Sequence, residues 1–329
     1  MAATLYITEQ GATLCRTGER LLVKKNGTTL SDLPALQVEQ VVIYGNVQVT
    51  TQAMAFLLER GIDTVFLSSR GTFRGRLQAE YSKNAILRQK QFEVAGRPPM
   101  RLALARQFIA GKIQNSLSVC RRHRESQISQ QIEQVESFAR QASGATDIEQ
   151  LRGYEGMAAR SYFEALGRII KAPWTFPGRV KRPPTDPVNV LLSLGYTLLF
   201  KDVYALVNVV GFDPFQGFFH ETHFGHPALA SDLMEEFRAP VVDRLVLRLL
   251  HKQIIKPGHF RGKGEHIKLT RDGLNRVVTQ YRAGRDTRIL HPRLGTNLTF
   301  YQCMEEQVRL VARVILGTEA EYQPFVLEE

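Results

Sequence analysis

Over the first 80 residues, apolar and β-branched positions come in short runs separated by turn residues, the pattern of a β domain. The runs are Thr4–Thr8, Ala12–Arg16, Arg20–Lys24, Leu36–Tyr44, Asp63–Ser68 and Thr72–Gln78. The breaks are Gln10-Gly11, Thr17-Gly18, Asn26-Gly27, Gly45-Asn46 and Arg70-Gly71. Asn26-Gly27 is a hairpin signal, because both residues tolerate positive φ. One helix is predicted inside this region, from Thr51 to Arg60, with Gly61 as its stop.

From about Ser82 the period lengthens. Leu102, Ala105, Phe108, Ile109 and Ile113 recur at three- and four-residue steps and share one helix face. Arg121 to Gln141 is polar and predicts a solvated helix or a helical hairpin. Asp147 is placed to cap a new helix, with Gln150 completing a capping box. The proline-rich stretch Trp174 to Pro187 cannot be helical throughout. Asp186 can cap the next helix, with Pro187 at its first position. That helix runs from Val188 toward Val210 and ends at Gly211. Its apolar residues cover most of its circumference, so it is expected at the centre of the fold. The remainder predicts helices, apart from a break at Pro257–His266. The expected class is α+β and multidomain: a small β-sandwich-like domain at 1–80, a linker at 81–84, and a larger all-α domain at 85–329.

Charge changes the picture. The chain of 329 residues carries 43 Lys and Arg against 32 Asp and Glu, a net of +11. The first 80 residues hold eight basic and seven acidic side chains, so the excess lies in the second part. A polyanion, nucleic acid above all, is expected to meet that part. Cys15, Cys120 and Cys303 are far apart and form no CxxC, which argues against a disulfide framework or zinc knuckle and fits a reducing cytoplasm. The amino terminus lacks a signal pattern. The apolar stretch Val188–Phe200 is shorter than the ~20 residues a bilayer crossing takes. A cytoplasmic protein without a membrane partner is expected.

Candidate chemistry gathers in three places. Asp232, Glu235 and Glu236 are spaced to share one helix face, either around a cation or as a solvated acidic surface. His220, His223 and His226 stand close together, but without the His-Glu-x-x-His spacing or a nearby cysteine. Glu155 falls beside the apolar face of Leu151–Ile170. One imidazole and two or three carboxylates suit magnesium or manganese better than zinc. No P-loop, dinucleotide fingerprint or Ser-His-Asp arrangement is present.

Four motifs then carry a resemblance. Gly153-Tyr154-Glu155-Gly156 runs on through Arg160 to Tyr162-Phe163. Arg182-Pro183-Pro184-Thr185-Asp186-Pro187-Val188-Asn189 leads to Leu191-Leu192-Ser193 and Gly195-Tyr196. Gly217-Phe218-Phe219-His220 precedes Asp232-Leu233-Met234-Glu235-Glu236-Phe237-Arg238, followed by Val242-Asp243-Arg244. In this order they resemble the Cas-one family of CRISPR adaptation integrases, over nearly the whole chain. The resemblance implies Glu155, His220 and Glu235 as ligands of Mg2+ or Mn2+, with Asp232 in support. Ser231 departs from the apolar residue more usual there. It implies a DNA 3′-hydroxyl as nucleophile, and insertion of a short double-stranded fragment into CRISPR repeat DNA. A homodimer through the β domain and the small Cas-two protein are the implied partners. Arg179, Lys181, Arg182, Arg238, Arg244 and Arg248 are expected on the DNA backbone. Lys252, Lys256, Arg261, Lys263 and Lys268 are further candidates. The rival readings are a structure-selective nuclease of branched DNA, a non-catalytic DNA-binding scaffold, and a zinc hydrolase built on His220 and His223.

Overall fold

The computed structural model describes residues 3–78, 85–123, 127–181 and 183–327. The chain forms two compact units, Met1–Phe92 with Tyr204–Pro214, and Glu93–Val203 with Phe215–Glu329.

In the first unit the strands are β1 (Ala3–Ile7), β2 (Thr13–Thr17), β3 (Arg20–Lys25), β4 (Thr28–Pro34), β5 (Val38–Tyr44), β6 (Gln48–Val49), β7 (Asp63–Leu67) and β8 (Phe73–Leu77), with helix α1 at Thr51–Glu59. They form two four-stranded sheets, ordered β1-β5-β7-β8 and β4-β3-β2-β6. In the first sheet β1, β5 and β7 are parallel, whereas β7 and β8 are antiparallel. Strands β2, β3 and β4 form an antiparallel meander. Its β3–β4 turn is Asn26-Gly27, with φ of 48° and 81°. Ile7, Val41 and Ile43 of one sheet, Leu14, Leu21 and Val23 of the other, and Phe56 and Leu57 of α1 share one core. The Thr50 hydroxyl caps α1 by accepting from the Ala53 N–H at 3.2 Å.

Three findings differ from the expected β domain. Strand β4 went unpredicted because it is polar and mostly exposed, so it shows no apolar run. The mainly parallel first sheet, with α1 between β6 and β7, is not announced by short alternating runs. The unit also extends beyond residue 80, through the start of α2 (Ala85–Ala95) and on to residues 204–214. Side chains tie these pieces to backbone far away in sequence. Gln91 Nε2 donates to Asp213 O at 2.8 Å and Gln91 Oε1 accepts from Asp213 N at 2.9 Å. Arg88 Nε donates to Gly211 O at 3.0 Å, and Arg76 Nη2 to Asn208 O at 2.9 Å. The expected linker at 81–84 lies outside the described residues.

The second unit is helical: α3 (Pro98–Arg121), α4 (Ser129–Ser143), α5 (Ile148–Ile169), most of α6 (Pro187–Val210), α7 (Ala228–Met234), α8 (Arg244–His251), α9 (Arg271–Arg285) and α10 (Phe300–Leu316). It is not all-α. Two short hairpins, β9 (Phe260–Arg261) with β10 (Lys268–Leu269) and β11 (Arg288–Leu290) with β12 (Asn297–Thr299), interrupt it. Asp147 caps α5 through the Gln150 N–H at 2.8 Å, but Gln150 answers by accepting from Thr146 N, one residue earlier than a capping box requires. Asp186 caps α6 through the Asn189 N–H at 2.9 Å.

Helix α6 corrects one inference. Its 24 residues are long and apolar enough to cross a membrane. Burial, rather than length, identifies it as a core helix. Val188, Leu191, Leu192 and Leu199 have no exposed surface, and the buried polar residues Asn189 and Asp202 are hydrogen-bonded within the protein.

Asp202 accepts from the Tyr281 hydroxyl at 2.7 Å and lies 3.5 Å from Arg285 Nη1. Burial pushes its carboxyl up to about 6, although Arg285 and Tyr281 pull the other way. The folded state thus holds a proton that the unfolded chain releases near pH 4. This contribution to stability is complete below about pH 4 and is lost as pH rises to about 6. Asp202→Asn removes the titration. Its unfolding free energy relative to wild type is expected to improve by on the order of 2–3 kcal/mol from pH 4 to pH 7. Denaturant titrations at the two pH values check this; the Arg285 ion pair, made only by the ionised carboxylate, is already contained in the net shift.

Candidate active site

The site is organised around Asp232 on α7, a carboxylate with no exposed surface. Its Oδ2 accepts from the N–H groups of Phe218 and Phe219 at 2.6 and 3.0 Å. Its Oδ1 accepts from the N–H of His220 at 2.8 Å and meets His220 Nδ1 at 2.7 Å. The loop before α7 is therefore wound around one side chain. Gly217 permits this: a Cβ there would lie 2.8 Å from Asp232 Oδ2 and 2.8 Å from the Ala228 Cβ. With Nδ1 bound to Asp232, the imidazole turns Nε2 toward Glu235, whose Oε1 is 3.9 Å away.

Glu235 does not continue α7. The chain tightens at Glu235–Phe237 and widens at Arg238–Asp243 before α8 begins. Pro240 contributes to this break, because it has no N–H to offer the carbonyl of Glu236 four residues earlier. Asn115 of α3 satisfies that carbonyl instead, donating from Nδ2 at 2.8 Å. The irregular turn separates two adjacent glutamates. Glu235 enters the site, whereas Glu236 faces the carboxy-terminal segment. Glu236 accepts from the Tyr322 hydroxyl at 2.6 Å, the Phe325 N–H at 2.7 Å and Gln307 Nε2 at 3.1 Å. Asp232 and Glu236 thus do not share a cation, as their spacing had allowed. Nor is there a solvated acidic face, since Asp232, Glu235 and Glu236 are all buried.

Glu155 of α5 completes the cleft, with a side chain 18% exposed. Between it and Glu235 stands Lys112 of α3. Its ammonium donates to Glu155 Oε1 and lies 2.6 Å from Glu235 Oε2. Arg238 Nε approaches the same Glu235 oxygen to 2.9 Å. Both are close contacts of opposite charge. Arg238 stacks over the Tyr196 ring at 4.6 Å, and Arg179 at 5.5 Å. The Tyr196 and Tyr162 hydroxyls both donate to Asp243, at 2.6 and 2.7 Å.

These surroundings set the protonation states. Burial alone would raise the Glu235 carboxyl, but Arg238, Lys112 and His220 outweigh it and hold the group well below the usual range. Burial would lower the His220 imidazole, but the Asp232 hydrogen bond and charge, with Glu235, raise it. Lys112 is likewise raised, because Glu155 and Glu235 overcome its burial. Glu236 has only neutral donors, and burial pushes it up to about 8.

The structure therefore brings Glu155, His220 and Glu235 to one cleft, which Lys181 and Arg238 also line, with Asp232 buried behind His220. Lys181 is exposed as a residue, but its ammonium sits partly desolvated at the cleft wall and is lowered by that and by Arg238 and Lys112. Arg179 is tied inward, donating to Asn189 Oδ1 at 2.8 Å and Ser193 Oγ at 3.1 Å. Arg248 is exposed and Arg244 half-buried, on α8. Arg182 lies outside the described residues. His223 sits on the exposed loop 3.6 Å from Glu221, and His226 is 3.2 Å from Ser231 Oγ. The zinc pairing of His220 with His223 has no support in these contacts.

Lys112 is the residue that the sequence reading missed. It falls four residues after Phe108 and four before Ser116, among buried positions of α3, and a lysine inside a buried stripe is the signal.

Among the described residues, no three His, Cys, Asp or Glu side chains stand ready to hold a metal ion as they are. The donor set nonetheless fits one. A carboxylate-oriented imidazole with Nε2 turned inward, and two carboxylates held by cations, are the parts of an oxygen- and nitrogen-ligated site.

A family model described as CRISPR associated protein Cas1 matches residues 5–283. A CRISPR-associated endonuclease Cas1 of Thermus thermophilus is 37% identical over 324 residues, covering 98% of this chain and 99% of its own. One from Chlorobaculum tepidum is 32% identical over 335 residues, covering 98% of each. Among solved structures, a Cas1 protein from Thermotoga maritima aligns with a TM-score of 0.84 at 24% identity over 98% of both chains. A casposase bound to integration product aligns at 0.86 and 20% identity over 98% of both. A partial Cas6-RT-Cas1–Cas2 complex aligns at 0.79 and 24% identity over the full length of both. At these identities the structures establish the fold.

Asp232→Asn keeps the shape but sets an amide N–H2 against neighbours that are all N–H groups. It is expected to cost about 2–4 kcal/mol of stability without DNA present. Gly217→Ala should destabilise through the Asp232 contact. Denaturant unfolding of both variants checks this, and wild-type stability in either would contradict the loop-anchoring role.

Proposed function

This chain belongs to the CRISPR associated protein Cas1 family, and on that premise we propose that it is a divalent-metal-dependent DNA integrase and endonuclease that inserts short fragments into a CRISPR array. The observation that carries this reading is the Asp232-anchored His220, turned toward Glu235 in a cleft that also holds Glu155.

Glu155, Glu235 and His220 Nε2 would hold Mg2+ or Mn2+. When bound, such an ion supplies Lewis-acid stabilisation of the phosphodiester and lowers the pKa of an attacking hydroxyl. Asp232 does the orienting, since its hold on Nδ1 leaves Nε2 as the donor that faces inward. Arg238 keeps Glu235 ionised, and Tyr196, itself fixed by Asp243, carries Arg238. Lys181 at the mouth supplies positive potential for a phosphate. Among the described residues, no cysteine lines the cleft. The buried Cys120 and Cys303 thiols, pushed up to about 12 mainly by burial, stay protonated. The attacking group is then a 3′-hydroxyl of the incoming DNA in integration, or water in cleavage.

Double-stranded fragment DNA and repeat DNA are the proposed substrates, with a homodimer and a small Cas2 protein as partners in the prokaryotic cytoplasm. The fold's neighbours include complexes containing Cas2 and a casposase bound to integration product, which supports this assignment.

A strand-transfer assay tests it, with a short duplex bearing free 3′-hydroxyls, a repeat-carrying supercoiled plasmid and Mn2+, with and without Cas2. Joined product is expected with wild type. It should fall at least about a hundredfold in Glu155→Ala, His220→Ala and Glu235→Ala, as loss of a direct ligand should exceed the 10–100-fold typical of an outer-shell partner. Cutting without joining, with the partner present, would point to a branched-DNA nuclease instead. In binding titrations across salt, Lys181→Ala should lower the log–log slope by about 0.9, one phosphate contact.

A further inference from the structure

Lys112 has no part in the proposed chemistry, yet it stands at the centre of the proposed metal site. Its ammonium contacts Glu155 Oε1 and is 2.6 Å from Glu235 Oε2, so one cation joins the two carboxylates. Its side chain is only 18% exposed. The placement is fixed by the backbone: Gly111 lets α3 approach so closely that a Cβ there would lie 2.9 Å from the Glu236 Cγ. Asn115, one turn on, donates to the Glu236 carbonyl at 2.8 Å. Lysine is thus presented to this point by a helix locked to the turn that carries Glu235.

We propose that Lys112 is a built-in counter-cation that holds the metal-free site together and must leave when the divalent ion enters. This rests on the metal-dependent reading above. The argument is steric and electrostatic. Mg2+ binds oxygen at about 2.0–2.1 Å. An ion at such distances from these carboxylates would overlap the ammonium or press against it. Charge points the same way. With a neutral imidazole, as ligation requires, Asp232, Glu155 and Glu235 are opposed by Lys112 and Arg238, leaving one negative charge. A dication added to this buried set leaves one positive charge if Lys112 stays, and none if it goes. Arg238 cannot serve as the leaving cation as readily, because it is stacked on Tyr196. A four-carbon stem with a single charged end can swing to the mouth, where a DNA phosphate is its natural new partner.

The test uses the purified protein and MnCl2 alone. Lys112→Met should melt below wild type in chelator, since two carboxylates then face each other. It should bind Mn2+ on the order of tenfold more tightly by calorimetry, the competitor being gone. Lys112→Arg, which keeps the charge, should stay near the wild-type Kd. Amine-reactive labelling of wild type, mapped by mass spectrometry and normalised to Lys252, decides the matter even if Lys112→Met does not fold. Lys112 labelling should rise at saturating Mn2+, and the rise should vanish in His220→Ala. An unchanged Kd in Lys112→Met, or Lys112 labelling indifferent to bound Mn2+, would overturn the displacement while leaving the metal site standing. No Mn2+ binding by wild type that His220→Ala removes would overturn the metal site itself, and the displacement with it.

Discussion

The burial of the Asp232 carboxylate is the constraint from which the rest of the site follows. An ion with no exposed surface costs several kcal/mol to desolvate, and it is tolerated only with its lone pairs filled. Here one imidazole nitrogen and three consecutive backbone N–H groups fill them. The loop from Gly217 to His220 therefore has one conformation open to it. The tautomer of His220 and the start of α7 are fixed in the same step. A loop of ordinary flexibility would not present an imidazole to a defined point; this one is held from within by a side chain that has no exposed surface.

The same economy governs Glu235 and Glu236. They are adjacent, both buried, and driven in opposite directions. Glu235 is surrounded by Arg238, Lys112 and His220 and stays ionised. Glu236 meets a phenol, an amide and a backbone N–H, and burial raises it to about 8. A regular helix would turn them only about 100° apart. The tight turn at Glu235–Phe237 and the wide one at Arg238–Asp243 sort them into separate environments. Pro240 and Asn115 make that irregularity affordable to the backbone.

Much of this was legible in the chain, for reasons that can be named. The helix starts at Thr51, Ile148 and Pro187 follow from side chains that cap locally. The motif residues also have physical roles. Asn189 pins the segment around Gly178–Val180 through Arg179, the Val180 N–H and the Gly178 carbonyl. Tyr162, Tyr196 and Asp243 form one buried network. What was not legible depends on long-range contact. Gln91 meets Asp213 across 122 residues, so the unit boundary could not be read from periodicity. Strand β4 is polar because it is an edge strand, and edge strands need no apolar run. Lys112 was hidden because a lysine in a helix is ordinarily solvated, and only the convergence of two distant carboxylates turns it inward.

The surplus of positive charge acquires meaning from where it is left uncompensated. Inside the cleft Lys112 and Arg238 are answered by carboxylates, and Arg238 by an aromatic ring as well. On α8 the situation differs. Arg244 is lowered by burial and then by the neighbouring Arg122 and Arg248, with no carboxylate among the described residues that act on it. Like charges crowded on a helix face raise the energy of the folded protein. Such an arrangement is destabilising alone and relieved by a polyanion, whose phosphates would occupy the space between the guanidinium groups. On the proposed reading, the carboxylates of the cleft would take a compact dication and the arginines of α8 an extended anion. An enzyme that brings a metal ion and a DNA backbone to one place needs both conditions. A protein that merely coated DNA would need only the second, and would have no reason to bury Asp232 to aim a histidine.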